Sequence, residues 1–190
     1  MSLSVYNCTS IGIPATPSLY CLPDKVGRGF TLIELMVAIA VVAILMTTGV
    51  PAFSSLIGNN RLAAQAADFQ GSLGYARSEA IRRGQNVVVG ASQPVTGNQF
   101  GGGWVMWVDS NSNGVLDAGE VTLKSHADLG GNTFKSSGTQ TTVSFLPTGF
   151  LNAASTFTIK LCDNRTGAVG QMFTLLGSGM TDLNQSASCP

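Results

Sequence analysis

The chain has 190 residues, and its 10 Lys and Arg are balanced by 10 Asp and Glu, so the formal net charge is zero. Charged residues make up only 11% of the chain and hydrophobic residues 44%. This composition excludes a disordered protein, which needs low hydrophobicity and high net charge. It also excludes a dedicated nucleic-acid binder, because the chain has no overall basic excess.

The most apolar part of the chain is 30–53, whose only charge is Glu34. About 20 apolar residues suffice to cross a bilayer as a helix. Basic residues precede this segment at Lys25 and Arg28, and the next one is Arg61. By the positive-inside rule, the N-terminal side is expected in the cytoplasm and the remainder outside it. A buried core helix or an ordinary signal peptide is the alternative.

A specific motif begins this segment: the residues from Gly27 to Leu35 read GRGFTLIEL. They closely resemble the type IV prepilin signal, in which a prepilin peptidase cuts after the glycine on the cytoplasmic face. The resemblance implies cleavage between Gly29 and Phe30 and N-methylation of Phe30. It also implies that residues 1–29 are removed as a leader, while the apolar helix is kept as a transmembrane and filament-core helix.

The predicted leader is unusual, because it is mostly uncharged and contains Cys8 and Cys21. A start at Leu22 would give a short basic leader of the usual kind. A misassigned start therefore stays open as an alternative.

Glu34 is expected to act in assembly. A carboxylate at the centre of a bilayer costs about 2.5–3.5 kcal/mol on insertion scales, so such a residue is usually functional. The cost falls near the helix start, which lies at the interface and at the positive end of the helix dipole. In a filament, Glu34 is expected to pair with the free α-amine of Phe30 on a neighbouring subunit. A tolerated interfacial glutamate is the alternative.

An amphipathic helix is predicted over 54–85, after a kink or loosened turn at Pro51. Glu79 and Arg83 are expected to pair at i,i+4 on its exposed face. Apolar residues recur along the helix at helical spacing, which predicts one stripe that packs under a globular domain. The stripe consists of Leu62, Ala66, Phe69, Leu73, Ala76 and Ala80.

A β-rich head is predicted over 86–190, which makes the fold class α+β, with the helix covering an antiparallel sheet. Trp104 and Trp107 are expected to pack on opposite faces of one strand. His126, the only histidine, is expected on the surface. The predicted strands are Val87–Ala91, Trp104–Val108, Val121–Ser125, Thr141–Phe145, Phe157–Cys162 and Gln171–Leu176.

Cys162 and Cys189 are the only cysteines left after removal of residues 1–29. Because the head would face an oxidising compartment, these two cysteines are predicted to form a disulfide.

A loop with the spacing of a calcium site follows the second predicted strand of the head. Oxygen-bearing side chains occupy positions 1, 3, 5, 9 and 12, with Gly114 at position 6, as in twelve-residue calcium loops. The candidate ligands are Asp109, Asn111, Asn113, Asp117 and Glu120. The flanking segments read as strands rather than helices, so a hairpin connection turning at Gly114 is the alternative. Ca²⁺ is the one cofactor that the sequence suggests.

Several features of the head occur together: GGGWVMWVDSNSNGVLDAGEV from Gly101, VSFLPTGFL from Val143, KLCDNRTG from Lys160 and a terminal Cys189. Together they resemble the FimT/GspH family, which includes minor type IV pilins and the H pseudopilin of type II secretion. The resemblance implies a structural subunit that helps to prime pilus assembly. It implies prepilin peptidase, the major and other minor pilins (or pseudopilins) and the bacterial inner membrane as partners. The head would lie in the periplasm before entering a pilus or pseudopilus.

Two other classes of function, DNA binding and catalysis, fit the sequence less well. The FimT branch can bind DNA through a Gly-Arg-x-Arg motif, but the corresponding stretch here, Gly179–Asp182, lacks both arginines. The only basic cluster, Arg77, Arg82 and Arg83, fits a solvated helix end, so nucleic acid is not an expected partner. An enzyme is not expected either, because no Cys–His or Ser–His pair and no clustered titratable site is recognisable.

Overall fold

The computed structural model describes the backbone of residues 6–10, 19–23, 29–152, 156–165, 167 and 169–189. The chain divides into two compact units, Met1–Pro51 and Ala52–Pro190. In the first unit, strands β1 (Tyr6–Ser10) and β2 (Leu19–Pro23) form an antiparallel pair. These two strands were not predicted, and residues 1–5, 11–18 and 24–28 lie outside the description.

Helix α1 extends over Leu32–Arg83, 52 residues. The backbone is helical on both sides of Pro51, and the predicted kink or loosened turn there stays a prediction. A proline removes a single backbone donor, and the bonds of the flanking turns can carry the helix past it. Gly71 and Gly74 do not interrupt α1 either, since packing of an apolar face outweighs intrinsic propensity.

Among the residues that the structure describes, no helix is both long enough and apolar enough to cross a membrane. The membrane-spanning segment predicted over 30–53 is therefore not shown and stays a prediction. The side chains of 48–52 lie outside the description.

The second unit contains two four-stranded antiparallel sheets. Their orders are β5-β4-β3-β7 and β10-β9-β8-β6. The strands are β3 (Asn86–Ala91), β4 (Trp104–Asp109), β5 (Val121–His126), β6 (Thr133–Ser136), β7 (Thr142–Phe145), β8 (Phe157–Cys162), β9 (Val169–Leu175) and β10 (Thr181–Ser188). All six predicted strands are present, whereas β6 and β10 were not predicted.

The core lies between α1 and the two sheets, and the predicted apolar stripe of α1 is confirmed, since each of its six residues is buried. They share one cluster with side chains of both sheets. Trp104 lies in this cluster, and its indole Nε1 donates to Ser72 Oγ at 3.0 Å. Trp107 covers the opposite face of β4, where a Cβ on Gly90 would approach its ring to 2.5 Å. The opposite orientation of the two tryptophans is therefore confirmed, and residue 90 must stay small.

His126 lies at the surface, as predicted, with 25% of its side chain exposed, but its ring also has partners in the fold. It is the cross-strand partner of Trp104, and the two rings stack with centroids 4.0 Å apart. Its Nε2 lies 3.6 Å from Asp68 Oδ2 on α1. Strand pairing, which the sequence alone does not reveal, places the half-buried His126 ring over the Trp104 ring.

Candidate functional site

The predicted processing and assembly residues lie together before and within the first turn of α1. Gly29, Phe30, Thr31 and Glu34 line one cavity of ≈ 530 Å³. Phe30 is 85% exposed, and a Cβ added at Gly29 would meet no heavy atom of the described residues within 4 Å. The peptide bond between residues 29 and 30 therefore lies outside the helix in open surroundings.

Thr31 caps the start of α1. Its Oγ1 accepts the backbone N–H of Glu34 at 3.2 Å, and its carbonyl accepts the N–H of Leu35 at 3.1 Å. An N-cap of this kind satisfies a backbone donor that has no partner within the helix. Thr31 was not among the predicted site residues, although the Thr-x-x-Glu spacing is typical of a helix start. The exposed Glu34 side chain leaves its carboxylate open to a group outside the chain.

At the other end of α1, the predicted pair of Glu79 with Arg83 is present, and Arg82 joins it. Glu79 accepts from Arg82 Nη2 and from Arg83 Nε, each at 2.6 Å. The exposed position expected for Glu79 is wrong: the residue is 6% exposed, because the helix packs against the head. Hydrogen bonds from Arg82 and then Arg83 lower the pKa of Glu79 from 4.5 to about 2.

We expect acid unfolding to depend on Glu79. Its folded-state pKa is depressed, so its contribution to stability is present above pH 4.5 and is lost as the pH falls toward 2. Glu79→Gln should therefore lower Tm near neutral pH and change it much less at about pH 2.5. Thermal melts across this pH range, with the exposed Asp182→Asn as control, check the prediction. A wild-type to Glu79→Gln difference that is constant with pH would contradict it.

Arg77 serves the fold, so the predicted solvated helix end is wrong for this residue. Its Nε donates to the carbonyl of Gly149 at 2.9 Å, and its Nη2 donates to the carbonyl of Ser178 at 3.3 Å. The two turns that it joins pack tightly, since a Cβ on Gly179 would lie 2.0 Å from the Gly149 carbonyl oxygen. Of the basic cluster, all three arginines thus have partners within the chain.

Of the five residues predicted as calcium ligands, Asp109 ends β4 and the other four lie in the connection between β4 and β5. The buried Asp109 carboxylate accepts the backbone N–H groups of Asn113 and Gly114 at 3.1 and 2.8 Å. Gly114 has a φ of 75°, the left-handed conformation that a tight turn requires and glycine adopts without strain. A carboxylate that accepts nearby backbone donors in this way holds a turn closed.

The remaining carboxylates of this loop also have donors within it. Asp117 Oδ2 accepts the side-chain amides of Asn111 and Asn113 at 2.8 and 2.7 Å. These hydrogen bonds lower the pKa of Asp117. Glu120 accepts the N–H of Asp117 at 3.1 Å. In the described parts of the chain, no group of three or more His, Cys, Asp or Glu is placed to hold a metal ion. This arrangement favours the hairpin connection, which was the alternative to the calcium site.

We expect the loop to keep its structure without an ion, because its own donors satisfy its carboxylates. Titration calorimetry with Ca²⁺ should give no binding heat, and a chelator should leave Tm unchanged. A saturable heat that Asp109→Asn abolishes would contradict this and restore the calcium site.

The predicted disulfide is confirmed: Cys162 and Cys189 are bonded, with their Cα atoms 5.9 Å apart. It joins the end of β8 to the residue after β10. Gly170 lies directly beneath it, where an added Cβ would approach Cys189 Sγ to 2.5 Å. The disulfide is therefore embedded in the second sheet and fixes the C-terminal segment there.

Arg165, which the sequence analysis did not single out, ties the head to α1. Its Nη1 donates to the carbonyl of Ser55 at 3.0 Å, and its Nη2 donates to Asn59 Oδ1 at 2.7 Å. Asp163 holds the guanidinium group in place through a further ion pair. A Cβ on Gly58 would lie 2.8 Å from Arg165 Cζ. The glycine thus makes room for the arginine, and together they dock α1 on the head at 55–59.

Two known family models match different parts of the chain. The family described as Type II transport protein GspH matches residues 65–179, more than half of the chain. The chain belongs to the GspH family. The prokaryotic N-terminal methylation motif matches residues 25–50. This second match contains Gly29, Phe30 and Glu34, which the structure places around one cavity.

Similar proteins agree with this assignment. The GspH-family chain is 34% identical over 105 residues to the pilin-like protein PilA1 of Thermus thermophilus. That match covers 54% of this chain and 62% of PilA1, so it spans less than two thirds of the relative.

Solved structures show the same fold. The type IV minor pilin FimU of Pseudomonas aeruginosa, in two crystal forms, is similar with TM-scores of 0.56 and 0.54 and identities of 22% and 23%. The alignments cover 70% and 67% of this chain, and 96% and 97% of FimU. The predicted fold class, a long N-terminal helix packed on antiparallel sheets, is thereby confirmed.

Proposed function

We propose that this GspH-family protein is a minor pilin, a structural and non-enzymatic subunit of a type IV pilus that helps to prime assembly. The observation that carries the proposal is the presence in one chain of an N-terminal methylation motif and a GspH head. In this proposal, 30–53 lies in the bacterial inner membrane with the head in the periplasm, until the subunit enters the filament with the major and other minor pilins.

Processing by a prepilin peptidase is supported by the surroundings of Gly29. The structure has room for a side chain there, and the residue has no positive φ. The fold itself therefore does not demand glycine at this position. A peptidase that accepts only a small residue before the scissile bond would explain the glycine at this position. Cleavage would make Phe30 the N-methylated first residue.

Glu34 is proposed to pair with the α-amine of Phe30 on a neighbouring subunit. The capped first turn holds Glu34 in a cavity that Phe30 also lines. In an apolar filament core an unpaired carboxylate is costly, whereas a pair removes two charges together. This pairing would set the axial register between subunits.

We expect Glu34→Ala to be processed normally but to enter filaments at least about tenfold less well, since it leaves an unpaired ammonium group in an apolar contact. Mass spectrometry of the membrane fraction would report the mature N-terminus, and the same method on sheared filaments would report incorporation. Asp182→Ala, which removes an exposed carboxylate on β10, is the control and should enter normally. Normal incorporation of Glu34→Ala would refute the pairing.

A type II secretion pseudopilin is the second candidate, because the matching family is described by type II transport. Both candidates share the processing site and Glu34. Affinity purification of the tagged chain after crosslinking in cells would distinguish them. Pilus subunits among the captured proteins would support the minor pilin, and secretion subunits alone would replace it with the pseudopilin.

A further inference from the structure

We propose that the outer face of the β10-β9-β8-β6 sheet binds an acidic segment of a partner protein. A groove of ≈ 650 Å³ lies there, lined by Lys135 and Lys160 and by hydroxyl side chains that include Thr133 and Thr158. Phe134, Ile159 and Leu161, which alternate with these residues on β6 and β8, point the other way and lie in the core. The lysine groove, as we name it, thus faces outward from a sheet whose inner face is packed.

The two lysines repel each other in the absence of a ligand. Lys135 and Lys160 are direct cross-strand partners, and like charges in this position destabilise a sheet. The ion pairs among the described residues involve Arg82, Arg83, His126 and Arg165 instead. None of the described residues that line the groove is acidic. A bound anion would therefore relieve a repulsion that the described part of the chain leaves in place.

One of the lysines is already oriented. Lys160 Nζ donates to the carbonyl of Ser188 at 2.9 Å, which leaves two of its N–H groups for a ligand. Ser188 directly precedes Cys189, and the disulfide to Cys162 fixes Cys189 to β8. Because the fold already restrains this side chain, less conformational entropy is lost when a ligand binds.

The ligand is recognised by side chains and not by strand addition. Strand β6 is the edge of its sheet, but the outward N–H groups of Phe134 and Ser136 donate to Asn98 Oδ1 and Gln99 Oε1 at 2.6 and 3.1 Å. An incoming strand would find these donors occupied. The groove instead presents two ammonium groups side by side among hydroxyl groups.

Two neighbouring ammonium groups fit two carboxylates on one short peptide segment. A nucleic acid would need a longer basic track and aromatic side chains for base stacking. The described lining residues include two lysines and no aromatic residue. We therefore assign the groove to an acidic peptide. This inference does not depend on the proposed function, because it concerns binding by the single chain.

The test uses the full chain in a non-ionic detergent and a fluorescent peptide with two glutamates one residue apart in a Gly/Ser background. A matched peptide carries glutamine at both positions. In anisotropy titrations we expect the acidic peptide to bind, and Lys135→Gln or Lys160→Gln to weaken it at least about fivefold. Lys124→Gln, on β5 of the other sheet, is the matched control and should bind as the wild type does. Lysine-to-arginine variants at 135 and 160 keep the charge and should retain binding.

Reduction of the disulfide should also weaken binding to wild type, because it releases Ser188 and with it Lys160. Equal binding of the acidic and glutamine peptides would overturn the proposal, as would binding that neither lysine variant changes. Inorganic phosphate or a single-stranded oligonucleotide that binds as tightly as the acidic peptide would overturn the assignment to a peptide. A chain that enters filaments normally but fails this test would refute the groove alone and leave the proposed function intact.

Discussion

Phe69→Ala is expected to lower the free energy of unfolding of the head by about 3–5 kcal/mol. The Phe69 ring on α1 is fully buried and makes edge-to-face contacts with four aromatic rings. The centroid distances are 5.6 Å to Phe100, 5.0 Å to Trp104, 4.6 Å to Phe134 and 5.3 Å to Phe173.

These four rings come from different parts of the head, including β4, β6 and β9. Phe69 is therefore the point at which α1 joins both sheets. Truncation would remove its apolar contacts and leave a cavity among large rigid rings that cannot collapse into it.

Urea unfolding followed by tryptophan fluorescence would measure the loss, because Trp104 packs directly on Phe69. Phe150→Ala is the matched control, since Phe150 is 53% exposed. It should change the free energy of unfolding by less than about 0.5 kcal/mol. Similar losses in the two variants would show that Phe69 is not the centre of the core.

Removal of the disulfide is expected to cause the second large loss of stability. Cys162→Ala with Cys189→Ala should lower the free energy of unfolding by roughly 3–4 kcal/mol on the chain-entropy model. The two cysteines are 27 residues apart, so without the bond the unfolded chain regains a large number of conformations. In the folded state, the last strand, β10, would lose its covalent tie to β8.

Urea unfolding in the presence and absence of reductant checks this effect. Reductant should destabilise the wild-type head to the level of the double variant and should not affect the variant. Cys8→Ala with Cys21→Ala is the matched control, because these residues lie in the segment that processing is proposed to remove. If reductant lowered the stability of both variants equally, the Cys162–Cys189 bond would not be the source of the stability.

Strong local patterns made much of the fold predictable. The apolar stripe of α1 recurs at helical spacing, and all six of its residues are buried. Strands rich in Val, Trp, Phe and Ile were recognised in the same way. Strands β6 (TFKS) and β10 (TDLNQSAS) were missed, because short polar sequences acquire strand structure only from their neighbours. Strand β10 is an example, because its strand structure depends on pairing with β9.

The candidate sites also differ in whether the local sequence or only the folded structure reveals them. The cleavage motif and Glu34 are contiguous in sequence, so their resemblance to a prepilin signal can be recognised without the fold, and their roles stay predictions. The loop from Asp109 to Glu120 had the spacing of calcium ligands, but spacing does not specify where oxygen atoms point. Backbone and amide donors within the loop occupy those oxygens, which only the folded loop could show.

The few charged residues of the chain can be interpreted partly from the sequence and partly only from the fold. From sequence alone, neutrality argued against a general basic surface, and the motif from Gly27 to Leu35 before a long apolar segment resembled a prepilin signal. Only the tertiary structure decided what each remaining charge does. Arg165 reaches Asn59 across 106 residues of sequence, and Lys135 meets Lys160 only because β6 pairs with β8. Periodicity and motifs act over a few residues and can be read along the chain, whereas burial and charge pairing depend on contacts between distant segments.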